Sequence, residues 1–256
     1  MRFEEKLSKI VEKNNSLLCV GLDIDKEKIP NQPFLEFNKK IIDETKDLVC
    51  AYKINMAFYE TLGKEGYELL EKTIEYIPKE IIVILDGKRN DIGNTAKKYA
   101  SSFFETLKAD SVTINPYLGF DGIKPFLDYK DKYSFILCRT SNPSAKDFQD
   151  LEINNKALYL HVAEKIQQWN TNKNAGAVVG ATYPDELKQI RGFLGDDAIL
   201  LIPGIGAQGG DVEKTIKYGT NKKGKNAIIN SSRGIIYSKD PRKAAMFLRD
   251  EINKYL

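Results

Sequence analysis

In the segment Ile-Ile-Val-Ile-Leu-Asp86-Gly-Lys88-Arg-Asn-Asp91, an apolar run gives way within six residues to two carboxylates and an ammonium. Side chains two apart on an extended backbone point the same way, so Asp86 and Lys88 are expected on one side. Asp91 follows after a turn, where it either caps the next helix or reaches across an interface. Lys53, in VCAYKIN, aims a second ammonium at the same mouth. In an alternating array of Lys53, Asp86, Lys88 and Asp91, carboxylates hold the lysines protonated and lysines hold the aspartates ionised. Such an array presents a fixed negative charge to one substrate atom and an acidic ammonium to the next. That combination suits decarboxylation, in which departing CO2 leaves a carbanion to be neutralised. A solvated salt-bridge cluster would carry the same residue types. The place of the motif at the end of an apolar strand argues against it.

A second segment, Ile-Pro203-Gly204-Ile-Gly206-Ala-Gln208-Gly209-Gly210, contains a literal GxGxxG. A dinucleotide site would need an acidic residue about 20 positions further on, and Lys214 to Lys239 contains neither Asp nor Glu. The glycines instead let backbone N–H groups approach a phosphate, with Gln208 as an added donor. Arg233, in NSSRG, completes an anion pocket with a two-pronged guanidinium.

The single histidine, His161, falls in LYLHVAEKIQQW, a predicted helix, away from strand ends, and this leaves lysine and aspartate to do the chemistry. Cys19, Cys50 and Cys138 are an odd count beside apolar runs, with no CxxC pair, and read as buried structural thiols. Thirty-nine basic residues against 36 acidic ones give a net charge of only +3, so no global field for nucleic acid or membrane follows. The amphipathic start MRFEEKLSKIVEKNN has no apolar core of signal-peptide length, and no run approaches the ~20 apolar residues of a membrane span. A cytoplasmic protein is expected.

What must position these groups is a series of short aliphatic and β-branched runs: 17–22, 49–54, 81–85, 111–114, 134–137, 176–179, 198–202 and 227–229. Each reads as a buried parallel strand, and helical spacing fills the intervals. Eight such units make either a closed barrel or an open doubly wound sheet. Polar residues follow nearly every strand, and only a barrel gathers eight strand ends around one site. We therefore expect an α/β fold, a single (β/α)8 TIM barrel with an N-terminal helix, spanning 1–256 as one domain. The polar stretch 142–155 has the character of an active-site lid. Lys222, Lys223 and Lys225 read as a solvated loop.

From Leu17 to about Tyr237 the chain resembles orotidine 5'-phosphate decarboxylase, most closely the branch found in many bacteria and some protists. The likeness is carried by LCVGLD, YKINMAFYE, LDGKRNDIGNTAKKYA, RTSNP, VVGATYPDEL, LIPGIGAQGGD and INSSRG. It implies the barrel, a homodimer, and conversion of orotidine 5'-phosphate to UMP and CO2 as the last step of UMP synthesis, with neither metal nor cofactor. By that resemblance Lys88 is the proton donor, Asp86 the carboxylate facing the substrate carboxylate, and Lys53 the lysine linking this network to the ribose. Asp91 and Thr95 correspond to residues contributed across the dimer interface, Asp23 to a ribose-hydroxyl ligand, and Ser141 to a pyrimidine contact. Gln208 and Arg233 match phosphate ligands, Pro203 lines the pocket, and Asn55 and Thr140 touch substrate.

Three other readings share some of these features. A metal-dependent phosphosugar decarboxylase or aldolase would use the same phosphate loops but would want several oxygen ligands, and Lys53 stands where a carboxylate would serve the metal better. A Schiff-base aldolase would use a lysine as nucleophile. A silent barrel that only binds nucleotides would have little reason to retain a charge array that costs stability.

Overall fold

The computed structural model describes residues 1–205 and 211–256. Ten strands occur in the described residues: β1 (Leu18–Gly21), β2 (Ala51–Asn55), β3 (Ile82–Arg89), β4 (Ser111–Ile114), β5 (Tyr133–Arg139), β6 (Glu152–Ile153), β7 (Lys156–Ala157), β8 (Ala175–Val179), β9 (Leu200–Pro203) and β10 (Ala227–Ser231). β6 and β7 form a separate two-residue hairpin. The other eight close into a barrel of parallel pairs, with β10 returning to β1 through Leu18 opposite Ile229. These strands are almost wholly buried, as their unbroken aliphatic runs require when both faces are covered. The (β/α)8 barrel expected from the sequence is therefore the observed fold.

The helices are α1 (Phe3–Asn14), α2 (Phe34–Thr45), α3 (Met56–Glu60), α4 (Gly63–Tyr76), α5 (Gly93–Ser101), α6 (Phe120–Leu127), α7 (Leu158–Trp169), α8 (Pro184–Leu194), α9 (Val212–Gly219), α10 (Arg233–Ile236) and α11 (Pro241–Asn253). α1 buries Phe3, Leu7 and Ile10 on one face, as its periodicity predicts. Phe3 stacks on Tyr133 at 4.7 Å, and Lys6 pairs with Asp110 at 2.7 Å. The helix thus lies against the N-terminal ends of β4 and β5 and leaves the opposite mouth free. At the β8 wall Gly176 is required by close approach, since a Cβ there would lie 1.9 Å from the Ile199 carbonyl oxygen. None of the described helices is long and apolar enough to cross a membrane.

The predicted strand 81–85 extends through the charged motif to Arg89. Its pairing with β4 runs Leu85 to Val112 and resumes only at Arg89 to Ile114, so three residues of β3 face Thr113 alone. Lys88 within this bulge has φ +47°, the left-handed region. This corrects the expectation of an extended backbone between Asp86 and Lys88. A non-glycine residue held there stores roughly 1–3 kcal/mol, and such local strain gathers at functional sites. His161 sits on α7 as expected and bonds to the Ile153 carbonyl at 3.0 Å. All three cysteines are free and buried.

Candidate active site

The C-terminal ends of the strands surround a cavity of about 380 Å³. Three basic residues (Lys53, Lys88, Arg233) and two acidic ones (Asp23, Asp86) line it, while Leu137, Val178, Leu201, Pro203 and Ile205 supply apolar wall. A site with surplus positive charge and one apolar side fits an anionic ligand that also carries a flat, weakly polar group.

At the centre of the charges is Asp86. Its Oδ2 accepts from Lys53 Nζ at 3.0 Å, and its Oδ1 accepts from Lys88 Nζ at 2.6 Å and from the Thr113 hydroxyl at 2.7 Å. Lys53 Nζ also lies 3.8 Å from Asp23 Oδ1. Lys53 and Asp86 are buried, with side chains 6% and 9% exposed, whereas Lys88 is 46% exposed and projects into the opening. Among the described residues Asp23 Oδ1 has no hydrogen-bond donor, which leaves it able to accept from a hydroxyl of a bound molecule.

Burial alone would raise the pKa of Asp86, but Lys53, Lys88 and the Thr113 hydroxyl outweigh it and hold the carboxyl well below the usual carboxylate range. For Lys53, burial alone would favour the neutral amine, while Asp86 and Asp23 reverse that and keep it protonated above the ordinary lysine range. The two shifts define a pH window. Asp86, depressed in the fold, adds stability that is present above its unfolded pKa of about 3.9 and lost as pH falls through the folded value. Lys53, raised in the fold, adds stability that is present below its unfolded pKa of about 10.4 and lost as pH rises through the folded value. Hence the stability gap between wild type and Asp86→Asn is expected to be widest near neutrality and to shrink as acid protonates Asp86, measured by urea unfolding across a pH series.

Eight of the twelve residues expected from the sequence line this cavity: Asp23, Lys53, Asp86, Lys88, Thr140, Ser141, Pro203 and Arg233. Arg233 opens α10, and its guanidinium has no hydrogen bond or ion pair among the described residues. Gly21 at the end of β1 admits the neighbouring Ser232 side chain, whose Oγ would stand 1.9 Å from a Cβ at that position. Gln208 lies outside the described residues. Asn55 Oδ1 accepts from Ala57 N–H at 3.2 Å to cap α3, and Asn55 is not among the lining residues. Asp91 and Thr95 do not line the cavity of their own chain. Asp91 Oδ1 accepts from Ile92 N–H at 2.8 Å, Thr95 is exposed on α5, and exposed Ile92 lies between them.

Thr113, Asn142, Asn230 and Ser232 also line the cavity; the sequence placed Asn142 in the lid segment and Asn230 and Ser232 at a strand end without giving them a role, and it passed over Thr113. Asn230 and Ser232 lie within the INSSRG segment already singled out for Arg233. Thr113 gives no signal, because threonine in an apolar strand reads simply as a β-former. The 142–155 segment carries a 3-10 turn, Pro143–Asp147, and the β6–β7 hairpin, joined to the barrel by Gln149 bonding to Thr140 N–H at 2.9 Å.

The family model for orotidine 5'-phosphate decarboxylase / HUMPS matches residues 16–246. The chain belongs to that family. It falls with the decarboxylases, being 49% identical to orotidine 5'-phosphate decarboxylase of Dehalococcoides mccartyi strain BAV1, over 100% of this chain and 98% of the relative. Identity to the Cupriavidus metallidurans enzyme of the same name is 46%, over 100% and 99% of the two chains. The structure of Leishmania donovani OMP decarboxylase superposes with a TM-score of 0.91 at 39% identity, covering 100% of this chain and 98% of that one. Leishmania donovani UMP synthase gives 0.94 at 41% identity, covering 100% of this chain and 56% of that longer one. Among the described residues no three His, Cys, Asp or Glu side chains stand together in a group that could hold a metal ion.

Proposed function

We propose that this chain, as one barrel domain over residues 1–256, decarboxylates orotidine 5'-phosphate to UMP and CO2 with its own side chains and no metal or organic cofactor. The observation that carries the reading is the Asp86 carboxylate gripped between Lys53 and Lys88 in the cavity that Arg233 also lines. Arg233, with Gln208, takes the phosphate. Asp23 and Lys53 take the ribose hydroxyls, and Thr140, Ser141 and Pro203 meet the pyrimidine. The substrate carboxylate is held against Asp86, whose low pKa keeps it charged. As the C–CO2 bond breaks, its electron pair stays on the ring carbon, Lys88 gives that carbon a proton, and solvent later reprotonates the amine.

Magnitudes limit what charge repulsion contributes. Two unit charges about 4 Å apart interact by roughly 4 kcal/mol at an effective dielectric of 20, about three decades of rate. The remainder falls to stabilisation of the carbanion by Lys88, exclusion of water and orientation. Phosphate binding far from the reacting carbon supplies energy for that orientation. Arg233→Met is therefore expected to lower kcat/KM by about 30- to 1000-fold, with kcat falling as well as KM rising, in initial-rate measurements.

Asp91 and Thr95 come from the second protomer of a homodimer in this reading, consistent with their place outside their own cavity. The deciding assay follows loss of substrate absorbance by the purified protein in EDTA, with UMP counted against substrate consumed. Stoichiometric UMP at an undiminished rate is expected. Activity that disappears in chelator would favour a metal-dependent phosphosugar chemistry, tight UMP binding without turnover would favour a nucleotide-binding barrel, and substrate-dependent borohydride trapping would favour a Schiff base.

A further inference from the structure

Thr113 has no role in the reaction as described above, yet it is the side chain on which the charged motif is built. It is 1% exposed on β4 and is the single β4 residue opposite the three-residue bulge of β3. Ladder pairing fails across that bulge, and the Thr113 side chain fills the gap. The directions of its two hydrogen bonds are forced. A backbone N–H can only donate, so Lys88 N–H donates to Thr113 Oγ1 at 3.0 Å; an ionised carboxylate can only accept, so the hydroxyl donates to Asp86 Oδ1 at 2.7 Å. One hydroxyl thereby fixes the rotamer of the carboxylate and the left-handed turn of the residue two positions on.

We propose that Thr113 is a positioning residue for decarboxylation, its hydroxyl clamping Asp86 and the Lys88 backbone so that carboxylate and ammonium meet the reacting carbon in fixed geometry. The inference rests on the reaction proposed above. Without the hydroxyl, Asp86 Oδ1 keeps only Lys88 Nζ as a partner and the Lys88 N–H has no side-chain acceptor. The carboxylate can then turn about its Cβ–Cγ bond and the Lys88 backbone can relax out of the left-handed region. Both changes move charges that must be placed within fractions of an ångström. Thr113 bonds none of Arg233, Asp23 and Lys53, to which phosphate and ribose are assigned above, so substrate binding should be largely preserved while the chemical step slows.

Initial-rate kinetics on wild type, Thr113→Val and Thr113→Ser separate these possibilities. Valine keeps the β-branched shape and removes the hydroxyl; serine keeps the hydroxyl and removes a methyl. Thr113→Val is expected to lose about 10- to 100-fold in kcat with KM within about threefold, and Thr113→Ser to recover most of that loss. Thermal unfolding monitors the fold of each variant, and Thr113→Ala replaces valine if the buried methyl against the carboxylate disrupts it. A kcat for the hydroxyl-free variant within twofold of wild type, a loss confined to KM, or a serine variant as impaired as valine would each overturn the assignment. An inactive wild type would instead overturn the proposed reaction, leaving the two failures distinct.

Discussion

Lys88→Ala is expected to reduce kcat by about 10,000-fold or more while UMP still binds. Lys88 is the part of the network that is neither buried nor needed to keep its neighbour paired. Its side chain is 46% exposed, and Asp86 would retain Lys53 at 3.0 Å and the Thr113 hydroxyl at 2.7 Å. Because the buried Asp86 keeps these two partners, loss of the half-exposed Lys88 ammonium should cost less stability than the about 3–5 kcal/mol of stranding a buried charge. The catalytic cost is of another order, since proton donor and countercharge for the carbanion disappear together. Single-turnover absorbance, UMP titration and thermal unfolding read the three quantities separately. A kcat within tenfold of wild type would remove Lys88 from the mechanism.

Lys53 cannot be treated the same way. Its ammonium is buried between Asp86 and Asp23, and removing one member of a buried pair costs about 3–5 kcal/mol because the other charge is left behind. A Lys53 variant would mix catalysis with folding, and for this reason the mechanism is better tested at Lys88.

The second large effect concerns the proposed dimer. Separately prepared Lys88→Ala and Asp91→Ala proteins are each expected to be nearly inactive. If Asp91 serves the partner's cavity, a mixed dimer carries one site with both defects and one with neither. Random exchange at equal concentrations makes half of the dimers mixed, so activity should recover to roughly a quarter of the wild-type value per protomer. Subunit exchange is checked by native mass spectrometry of the mixture. Full exchange without recovery would place Asp91 in the cavity of its own chain or outside catalysis altogether.

Much of this architecture is written in the order of residue types. Each barrel strand coincides within a few residues with an aliphatic run, because strands covered on both faces leave no position for polar residues except at their ends. The same rule marks Asp86, which follows its run directly, whereas Lys53 stands inside one near its end and Arg233 comes after three polar residues, Asn230, Ser231 and Ser232. What the sequence hides depends on closing the barrel. Gly87 within β3 is a sign of a bulge, but Thr113 acquires its role only when β4 is laid beside that bulge, and nothing in that segment says which residue will face it. The left-handed backbone falls on Lys88 and not on the adjacent Gly87, which residue types would not suggest, and Asp86 and Lys88 meet by way of that bulge and not through simple two-residue alternation. Asn55 shows how one residue type serves two ends. Its position at a strand end suggests a ligand contact, but asparagine before a helix is equally a cap, and its Oδ1 caps α3.

A structure of the protein crystallised with UMP tests most directly whether these groups act on one nucleotide. The expected result places the phosphate on the Arg233 guanidinium, the ribose hydroxyls on Asp23 and Lys53, and Lys88 Nζ about 3–3.5 Å from the ring carbon that bears the carboxylate in the substrate. A nucleotide bound with its ring remote from Lys88 and Asp86, or with its phosphate away from Arg233, would contradict the account.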